Sequence, residues 1–163
     1  IAAQGAFFER AYVTTSLCCP ARAGILTGLY AHQTQIRNNE DDVDFLASGL
    51  GFPELLQEAG YSTGFFGKWH IPNPGAMPQR GFDRWVSFDG QGQYIDETFN
   101  IDGERQQLPG FNTDRLFDLA LELEERSLDL GLPAVGVRDL RHGLGNPSFV
   151  LLNLRRALQE LLV

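Results

Sequence analysis

The chain has 163 residues, 43% hydrophobic and 21% charged, so it is long enough to fold as one domain around a hydrophobic core. No apolar run approaches the ~20 residues that a helix needs to cross a bilayer, which argues against a membrane span. The 13 Lys and Arg residues face 21 Asp and Glu residues, and this net charge of -8 argues against nucleic acid as a partner. An anionic ligand would have to be held by a few local cations.

The two cysteines, Cys18 and Cys19, are adjacent in the sequence. Because there is no other cysteine, they provide neither a disulfide framework nor a zinc site made of cysteines alone. The sequence starts at Ile1 without the charged and apolar segments of a signal peptide, so it leaves the cellular compartment open.

The residues around the cysteines predict the start of a helix. An apolar, β-branched stretch at residues 11–15 leads into Cys18, and Pro20 suits a first helical position. The following residues are compatible with helix, and Gly28 is placed to end it. Backbone N–H groups and the helix dipole favour negative charge at such a start, where the cysteines lie.

The middle of the chain predicts an α/β arrangement. Residues 31–49 are polar and acidic and resemble a solvated loop. Residues 52–60 predict a second helix, with Pro53 and Glu54 in its first turn and Gly60 just past its end. A short buried strand follows directly at residues 61–66, and this step from helix to strand is typical of α/β folds.

The later part of the chain predicts loops, one clear helix and one more strand. Residues 71–110 are rich in Gly, Pro, Asn and Gln with scattered aromatics, which indicates long ordered loops with short strands. An apolar stripe at helical spacing predicts a helix over residues 113–126. Residues 149–152 are apolar and predict a strand.

The sequence from Cys18 to Gly28, CCPARAGILTG, fits the pattern C-x-P-(S/A)-R-x-x-x-(L/M)-T-G at every fixed position. The string Gly67-Lys68-Trp69-His70 follows later in the chain. Taken alone, a Cys-Cys pair predicts two small buried residues, and a Lys-x-His string predicts surface residues without a role. Their occurrence together and in this order is more specific. On these motifs the chain resembles the formylglycine-dependent type I sulfatases of the alkaline-phosphatase-like superfamily.

This resemblance is clear over residues 1–125 and weak over residues 126–163. It implies that residues 1–163 form an incomplete N-terminal part of a sulfatase catalytic domain. The implied fold is α/β, a partial alkaline-phosphatase-like fold with a mainly parallel sheet flanked by helices and a site at the strand C-termini. Family members are expected in periplasmic, secreted or lysosome-like compartments.

The resemblance assigns roles to four residues. The first cysteine of the family motif is oxidised to formylglycine by a dedicated formylglycine-generating enzyme, which implies this fate for Cys18. Lys68 and His70 match family residues that contact the sulfate and the formylglycine. Arg22 lies about one helical turn after Cys18, so its guanidinium is expected to stabilise the charged diol. If Lys68 lies at a strand end, Lys68 and His70 should point together into the site while Trp69 turns away.

The resemblance also implies one Ca²⁺ ion, or sometimes Mg²⁺, held by hard oxygen ligands that include the formylglycine derived from Cys18. The family's other ligands, an upstream pair of aspartates and a later Asp-Asn pair, have no counterpart in this sequence. Asp41 and Asp42 resemble solvated loop residues instead, and His32 and His142 have no partner at a metal-ligand spacing. A divalent cation is therefore expected to bind weakly to this chain.

The implied reaction is hydrolysis of a sulfate ester. Residues 81–85 and 90–92 resemble bacterial sulfatases thought to act on sulfated sugars, so a carbohydrate sulfate ester is the expected substrate. Three alternatives stay open. A phosphonate or phosphate monoester hydrolase of the same superfamily can also use formylglycine, and a catalytically inactive fragment would keep the motif without the chemistry. A vicinal-dithiol redox protein would react at Cys18 and Cys19 together.

Overall fold

The computed structural model describes residues 7–44, 51–71, 76–129 and 149–155. Its helices are α1 (Cys18–Thr27), α2 (Ala31–Thr34), α3 (Phe52–Glu58) and α4 (Asn112–Asp129). Its strands are β1 (Tyr61–Lys68), β2 (Arg84–Phe88), β3 (Thr98–Ile101), β4 (Glu104–Gln107) and β5 (Phe149–Arg155). These strands form one sheet in the order β4-β3-β2-β1-β5. None of the described helices is long and apolar enough to cross a membrane.

Most of the predicted elements are confirmed. α1 begins at Cys18, so Pro20 lies in its first turn. Backbone N–H groups of the first turn have no acceptor within the helix, so proline, which lacks an N–H, loses no hydrogen bond there. The helix ends at Gly28, which has a φ of 72° and donates its N–H to the Gly24 carbonyl at 2.8 Å. α3, β1, α4 and β5 correspond to the predicted helices and strands, and short strands occur within residues 71–110 as expected.

The solvated loop predicted over residues 31–49 contains more structure than expected. It includes α2 and the fully buried side chain of Ile36. Asp41 has the loop role that the sequence predicts, because its carboxylate accepts the backbone N–H groups of Arg37 at 2.7 Å and Asn38 at 3.2 Å.

The sheet is mixed, which corrects the mainly parallel sheet that the resemblance implies. Among the described strands, β1 and β2 pair in parallel, and the other three pairings are antiparallel. The connection between β3 and β4 consists of Asp102 and Gly103, whose φ values of 52° and 100° fit a two-residue hairpin. Such a connection permits antiparallel pairing only, because parallel neighbours need a crossover of a dozen or more residues.

β1 is buried on both faces and separates two hydrophobic clusters. On one face Phe65 packs with Trp69, Trp85 and apolar residues of α1. On the other face Phe66 packs with Val86 and apolar residues of α4. Successive side chains of a strand point to opposite faces, so this Phe-Phe pair holds helices on both sides of the sheet. The resulting layers bring the start of α1 close to the end of β1.

Candidate active site

The candidate site lies where the start of α1 meets the end of β1. Cys18 is the first residue of α1 and is half-buried, and Lys68 is the last residue of β1. The Lys68 ammonium donates a hydrogen bond to Cys18 Sγ at 3.7 Å. Lys68 is also the single lysine of the sequence. Two of the predicted site residues therefore meet, although they lie far apart in the chain.

Arg22 joins the same two elements. It lies one turn into α1, and its guanidinium donates a hydrogen bond to the backbone carbonyl of Lys68. Burial lowers the pKa of Arg22, while the thiols of Cys18 and Cys19 act in the opposite direction. Because arginine stays protonated at neutral pH even so, the site holds a fixed positive charge beside Lys68.

The backbone at the start of α1 is satisfied from outside the helix. The N-cap residue, Leu17, makes no side-chain cap hydrogen bond. Instead, the N–H of Cys19 donates to Oδ1 of Asn39 at 3.0 Å, and Pro20 has no N–H to satisfy. The proline of the motif and a distant asparagine thus stabilise the turn that carries Cys18.

His70 occupies a different position from the one predicted. β1 ends at Lys68, and His70 has a φ of 58°, so the alternation of strand side chains does not extend to it. Its Nδ1 lies 3.7 Å from Cys19 Sγ, and the Cys19 thiol donates to the His70 carbonyl at 2.6 Å. His70 therefore lies against Cys19 instead of sharing a face with Lys68. Trp69 turns away from the site as predicted and is buried in the core.

Charges of the site nevertheless act on His70. Burial lowers the pKa of His70, and the positive charges of Lys68 and then Arg22 lower it further. The pKa of Cys19 is raised by burial and by Cys18, against the opposing effects of Lys68 and Arg22. Both His70 and Cys19 are consequently neutral at neutral pH.

Cys18, Arg22 and Lys68 line one cavity of about 400 Å³. This volume is within the range of roughly 300–1,000 Å³ that is usual for small-molecule sites. The other lining residues are uncharged, and they come from the end of β2, from the segment after it and from the start of α4: Phe88, Gln91, Gly92, Gln93, Tyr94, Asn112 and Thr113. Among the described residues, no carboxylate lines the cavity, so its only charges are positive. His70 is not among the lining residues.

Sequence reasoning missed the contribution of the segment after β2. Gln91 accepts a hydrogen bond from the Lys68 ammonium through its Oε1. Together with the contact to Cys18, this contact fixes the direction in which the ammonium points. The Gly-Gln-Gly string at residues 90–92 is a sequence signal for a tight loop, but it does not indicate the contact with Lys68.

A buried carboxylate holds this segment in place. Glu97 is 6% exposed, and it accepts hydrogen bonds from the backbone N–H of Gln93 and, at 3.4 Å, from Nδ2 of Asn112. Gly92 packs against the same carboxylate with a φ of 71°. A Cβ atom there would lie 2.5 Å from the Phe88 ring and 2.7 Å from the Glu97 carboxylate. Glycine is therefore required at position 92.

The described residues do not by themselves provide the predicted calcium site. No group of three or more His, Cys, Asp and Glu side chains gathers among them to hold an ion. Calcium needs six to eight oxygen ligands, whereas the cavity presents a thiol, two cations and neutral amides. The calcium or magnesium ion stays a prediction.

The packing around Gly92 predicts a difference between two glycine substitutions. Gly90 also has a positive φ, 55°, but a Cβ there would meet no atom within 4 Å. Gly90→Ala should cost about 1 kcal/mol of unfolding free energy, because only the left-handed backbone is strained. Gly92→Ala should cost roughly 1–3 kcal/mol more, because the methyl group also overlaps its neighbours. Urea denaturation measures both values, and equal losses would contradict the packing described.

The charges around His70 predict how its titration responds to Lys68. Lys68→Met should raise the pKa of His70 toward its ordinary value, because one repelling cation is removed while burial remains. Histidine NMR signals followed against pH measure the shift, and Arg80→Met, which removes a surface cation paired with Glu54, is the control. An unchanged or lowered pKa of His70 in Lys68→Met would contradict this assignment.

The lowered pKa of His70 also has a consequence for stability. The unfolded chain binds the His70 proton more readily than the folded chain, so the folded state should lose stability as pH falls below about 6.5.

Comparisons with known proteins agree with the motifs. A family model described as Sulfatase matches residues 1–129. The N-acetylglucosamine-6-O-sulfatase of Bacteroides thetaiotaomicron is 38% identical over 128 residues, which are 77% of this chain and 22% of that protein. The human N-acetylglucosamine-6-sulfatase is 30% identical over 144 residues, covering 79% of this chain and 26% of that protein. The chain thus spans about a quarter or less of the length of these curated relatives.

Solved structures give the same result for the fold. A protein in complex with its substrate D-glucosamine-2-N,6-O-disulfate matches with a TM-score of 0.64 and 37% identity, over 72% of this chain and 23% of that one. The crystal structure of Ps i-CgsB also has a TM-score of 0.64, over 72% of this chain and 33% of that one, and its 23% identity supports the fold alone. These similarities confirm the predicted fold class. With the motif matched in full and the family model covering residues 1–129, the chain belongs to the sulfatase family.

Proposed function

We propose that this chain supplies the nucleophile and the anion-binding cations of a sulfatase that hydrolyses a sulfate ester of a sugar. The nucleophile is formylglycine produced from Cys18 by a formylglycine-generating enzyme. The observation that carries the proposal is that Cys18, Arg22 and Lys68 line one cavity. The names of the two curated relatives, both sulfatases of N-acetylglucosamine, support a sugar substrate.

The position of Cys18 suits the modified residue. Its side chain is half-buried at the start of α1 and faces a cavity with room for a small ligand. Hydrated formylglycine supplies one hydroxyl as nucleophile and a second hydroxyl whose deprotonation releases the sulfate and restores the aldehyde. Cys19 is buried against His70 and lies outside the cavity lining, which favours Cys18 as the reacting position.

Arg22 and Lys68 bind and orient the anion. The sulfate ester carries negative charge on its oxygens throughout the reaction, and the two cations lie beside the nucleophile position to neutralise it. Both are held before the ligand arrives, Arg22 by the Lys68 carbonyl and the Lys68 ammonium by Gln91. Such preorganised charges need little rearrangement during catalysis.

The overall reaction is R-O-SO3(-) plus water giving R-OH, sulfate and a proton. The bond between sulfur and the ester oxygen breaks, and the leaving alcohol takes up a proton. His70 is neutral at neutral pH and contacts Cys19, the neighbour of the nucleophile, which supports the proposal that it accepts or donates a proton during the reaction. Its contact with Cys19 also joins the segment after β1 to the first turn of α1.

The alternatives differ in what they predict for the two thiols. The fixed cations would bind a phosphate ester as well, so the ratio of kcat/KM for an aryl sulfate and the matching aryl phosphate separates sulfatase from phosphatase. An inactive family member leaves Cys18 as a thiol. A dithiol redox protein joins Cys18 and Cys19, but the Cys19 thiol is buried and its pKa is raised, which disfavours a reactive pair.

The proposed function predicts that Cys18 is modified and Cys19 is not. Coexpression with a formylglycine-generating enzyme should convert Cys18 and leave Cys19 unchanged. Trypsin releases both cysteines on one peptide, residues 11–22, because the sequence has arginine at positions 10 and 22. After alkylation, mass spectrometry should find this peptide with one alkyl group, on Cys19, and an aldehyde at position 18. Cys19→Ala should still be converted, whereas Cys18→Ala should not.

Other outcomes of this experiment point to the alternatives. Two alkyl groups on the peptide would refute the catalytic proposal, because the thiol of Cys18 would be intact. A peptide that takes alkyl groups only after reduction would indicate the dithiol protein instead.

The proposed function also predicts that loss of the cation at the end of β1 lowers activity. Lys68→Ala should lower kcat/KM for a sugar sulfate by about 10²–10³-fold in the full-length protein, because one preorganised donor to the sulfate oxygens is lost. Arg80→Ala is a matched control, since it removes the same charge from a surface ion pair with Glu54. Similar losses in both variants would show that net charge, and not the position of Lys68, is responsible.

A further inference from the structure

One side of the cavity carries no charge among the described residues. It presents the amide side chains of Gln91, Gln93 and Asn112 and the ring of Tyr94. We infer that Tyr94 is a sugar-binding residue whose ring packs against the pyranose ring of the sulfated substrate. This inference rests on the sulfatase activity proposed above and adds the residue that recognises the sugar.

Tyr94 has the exposure and the support of a binding platform. It is 70% exposed and lines the cavity. Its ring stacks on the ring of Phe111, with the two planes 7° apart and the centroids at 6.3 Å. Phe111 is not among the cavity-lining residues, so it supports Tyr94 from outside the cavity. A tyrosine held in this way offers a large contact area at a low cost in conformational entropy.

The backbone of Tyr94 is fixed as well. Its carbonyl accepts the N–H of Asn112 at 2.8 Å. The next residue, Ile95, forms an antiparallel β-bridge with Phe111. These contacts tie the segment after β2 to the residues that lead into α4. The platform is therefore preorganised, and binding does not have to order it.

The amides beside Tyr94 match the hydroxyl groups of a sugar. Nδ2 of Asn112 donates to the Gln93 carbonyl at 3.1 Å and to the buried Glu97 carboxylate at 3.4 Å, which orients the Asn112 amide in the cavity wall. The Gln93 side chain is exposed at the same wall. Neutral amides donate and accept hydrogen bonds, as a ring carrying several hydroxyl groups requires. A second charged group on the ligand would meet no opposite charge on this side.

The two sides of the cavity together fit one ligand chemistry. Arg22 and Lys68 bind a sulfate group, the ring of Tyr94 covers an apolar face, and the amides bind hydroxyl groups around the edge of the ring. A sulfated pyranose has all three features. An aryl sulfate has the sulfate group and a flat apolar face, but it lacks the ring hydroxyl groups, so the amides would bind water instead.

The test compares Tyr94→Ala and Tyr94→Phe in the full-length protein after conversion of Cys18. Tyr12→Ala is the matched control, because Tyr12 is 88% exposed and lines a separate cavity beside α1. The measurements are kcat and KM for N-acetylglucosamine 6-sulfate, and the inhibition constants of N-acetylglucosamine and of inorganic sulfate. Inhibition by inorganic sulfate depends on Arg22 and Lys68 alone, and inhibition by N-acetylglucosamine, which carries no sulfate, depends on the Tyr94 side of the cavity.

Tyr94→Ala should raise the KM and weaken inhibition by N-acetylglucosamine about 3- to 10-fold, the size expected for one aromatic contact. Inhibition by inorganic sulfate should stay as in the wild type, and Tyr94→Phe and Tyr12→Ala should resemble the wild type in every constant. An unchanged KM and an unchanged sugar inhibition in Tyr94→Ala would overturn the inference. An equal loss of sulfate inhibition would overturn it too, since the whole cavity would then be altered.

Failure of the proposed function is distinguishable from failure of this inference. If the wild type releases no sulfate, the proposed activity is wrong, and calorimetric titration with N-acetylglucosamine 6-sulfate then tests the sugar site without turnover. Binding to the wild type that is weakened by Tyr94→Ala and kept by Tyr12→Ala supports the platform. Absent binding, or equal binding to Tyr94→Ala, overturns it.

Discussion

The hydrogen bond from the Arg22 guanidinium to the backbone carbonyl of Lys68 ties the first turns of α1 to the last residue of β1. The two elements also pack through the apolar cluster around Phe65, but apolar contacts are not directional and do not align the ends of a helix and a strand. The bond sets that alignment, and as a result the Lys68 ammonium reaches Cys18. The cavity and the position of its positive charges beside Cys18 depend on this junction.

The positive cavity contrasts with the acidic chain that surrounds it. A net charge of -8 does not attract an anion from a distance, and salt screens exposed charges beyond about 10 Å at 0.1 M ionic strength. Arg22 and Lys68 act over a much shorter range, and Arg22 is partly buried, where screening is weaker. The anion binding that we propose therefore depends on the two cations in the cavity, as the acidic composition of the chain suggests.

Local signals in the sequence predicted α1 with its glycine end and β1, and the family resemblance implied that Cys18, Arg22 and Lys68 come together. α1 and β1 could be predicted because helix ends and strand periodicity are local features of the sequence, and Arg22 lies about one helical turn after Cys18. The position of His70 depends on a positive φ that strand periodicity does not indicate. Asn39 and Gln91 reach the site across long sequence separations, and the hairpin at Asp102 determines a mixed sheet. Such contacts arise from the tertiary fold and leave little trace in neighbouring residues.

Lys68 has a practical consequence for handling the molecule, because it is the single lysine among these 163 residues. Reagents that acylate or reductively alkylate amines find one side-chain target here, and it contacts Cys18 and Gln91 inside the cavity. Fluorescent dyes, crosslinkers and amine-coupled sensor surfaces that react with this side chain would therefore modify the proposed anion-binding group. Immobilisation through a terminal tag leaves that group intact, so it is the suitable format for surface-based affinity measurements.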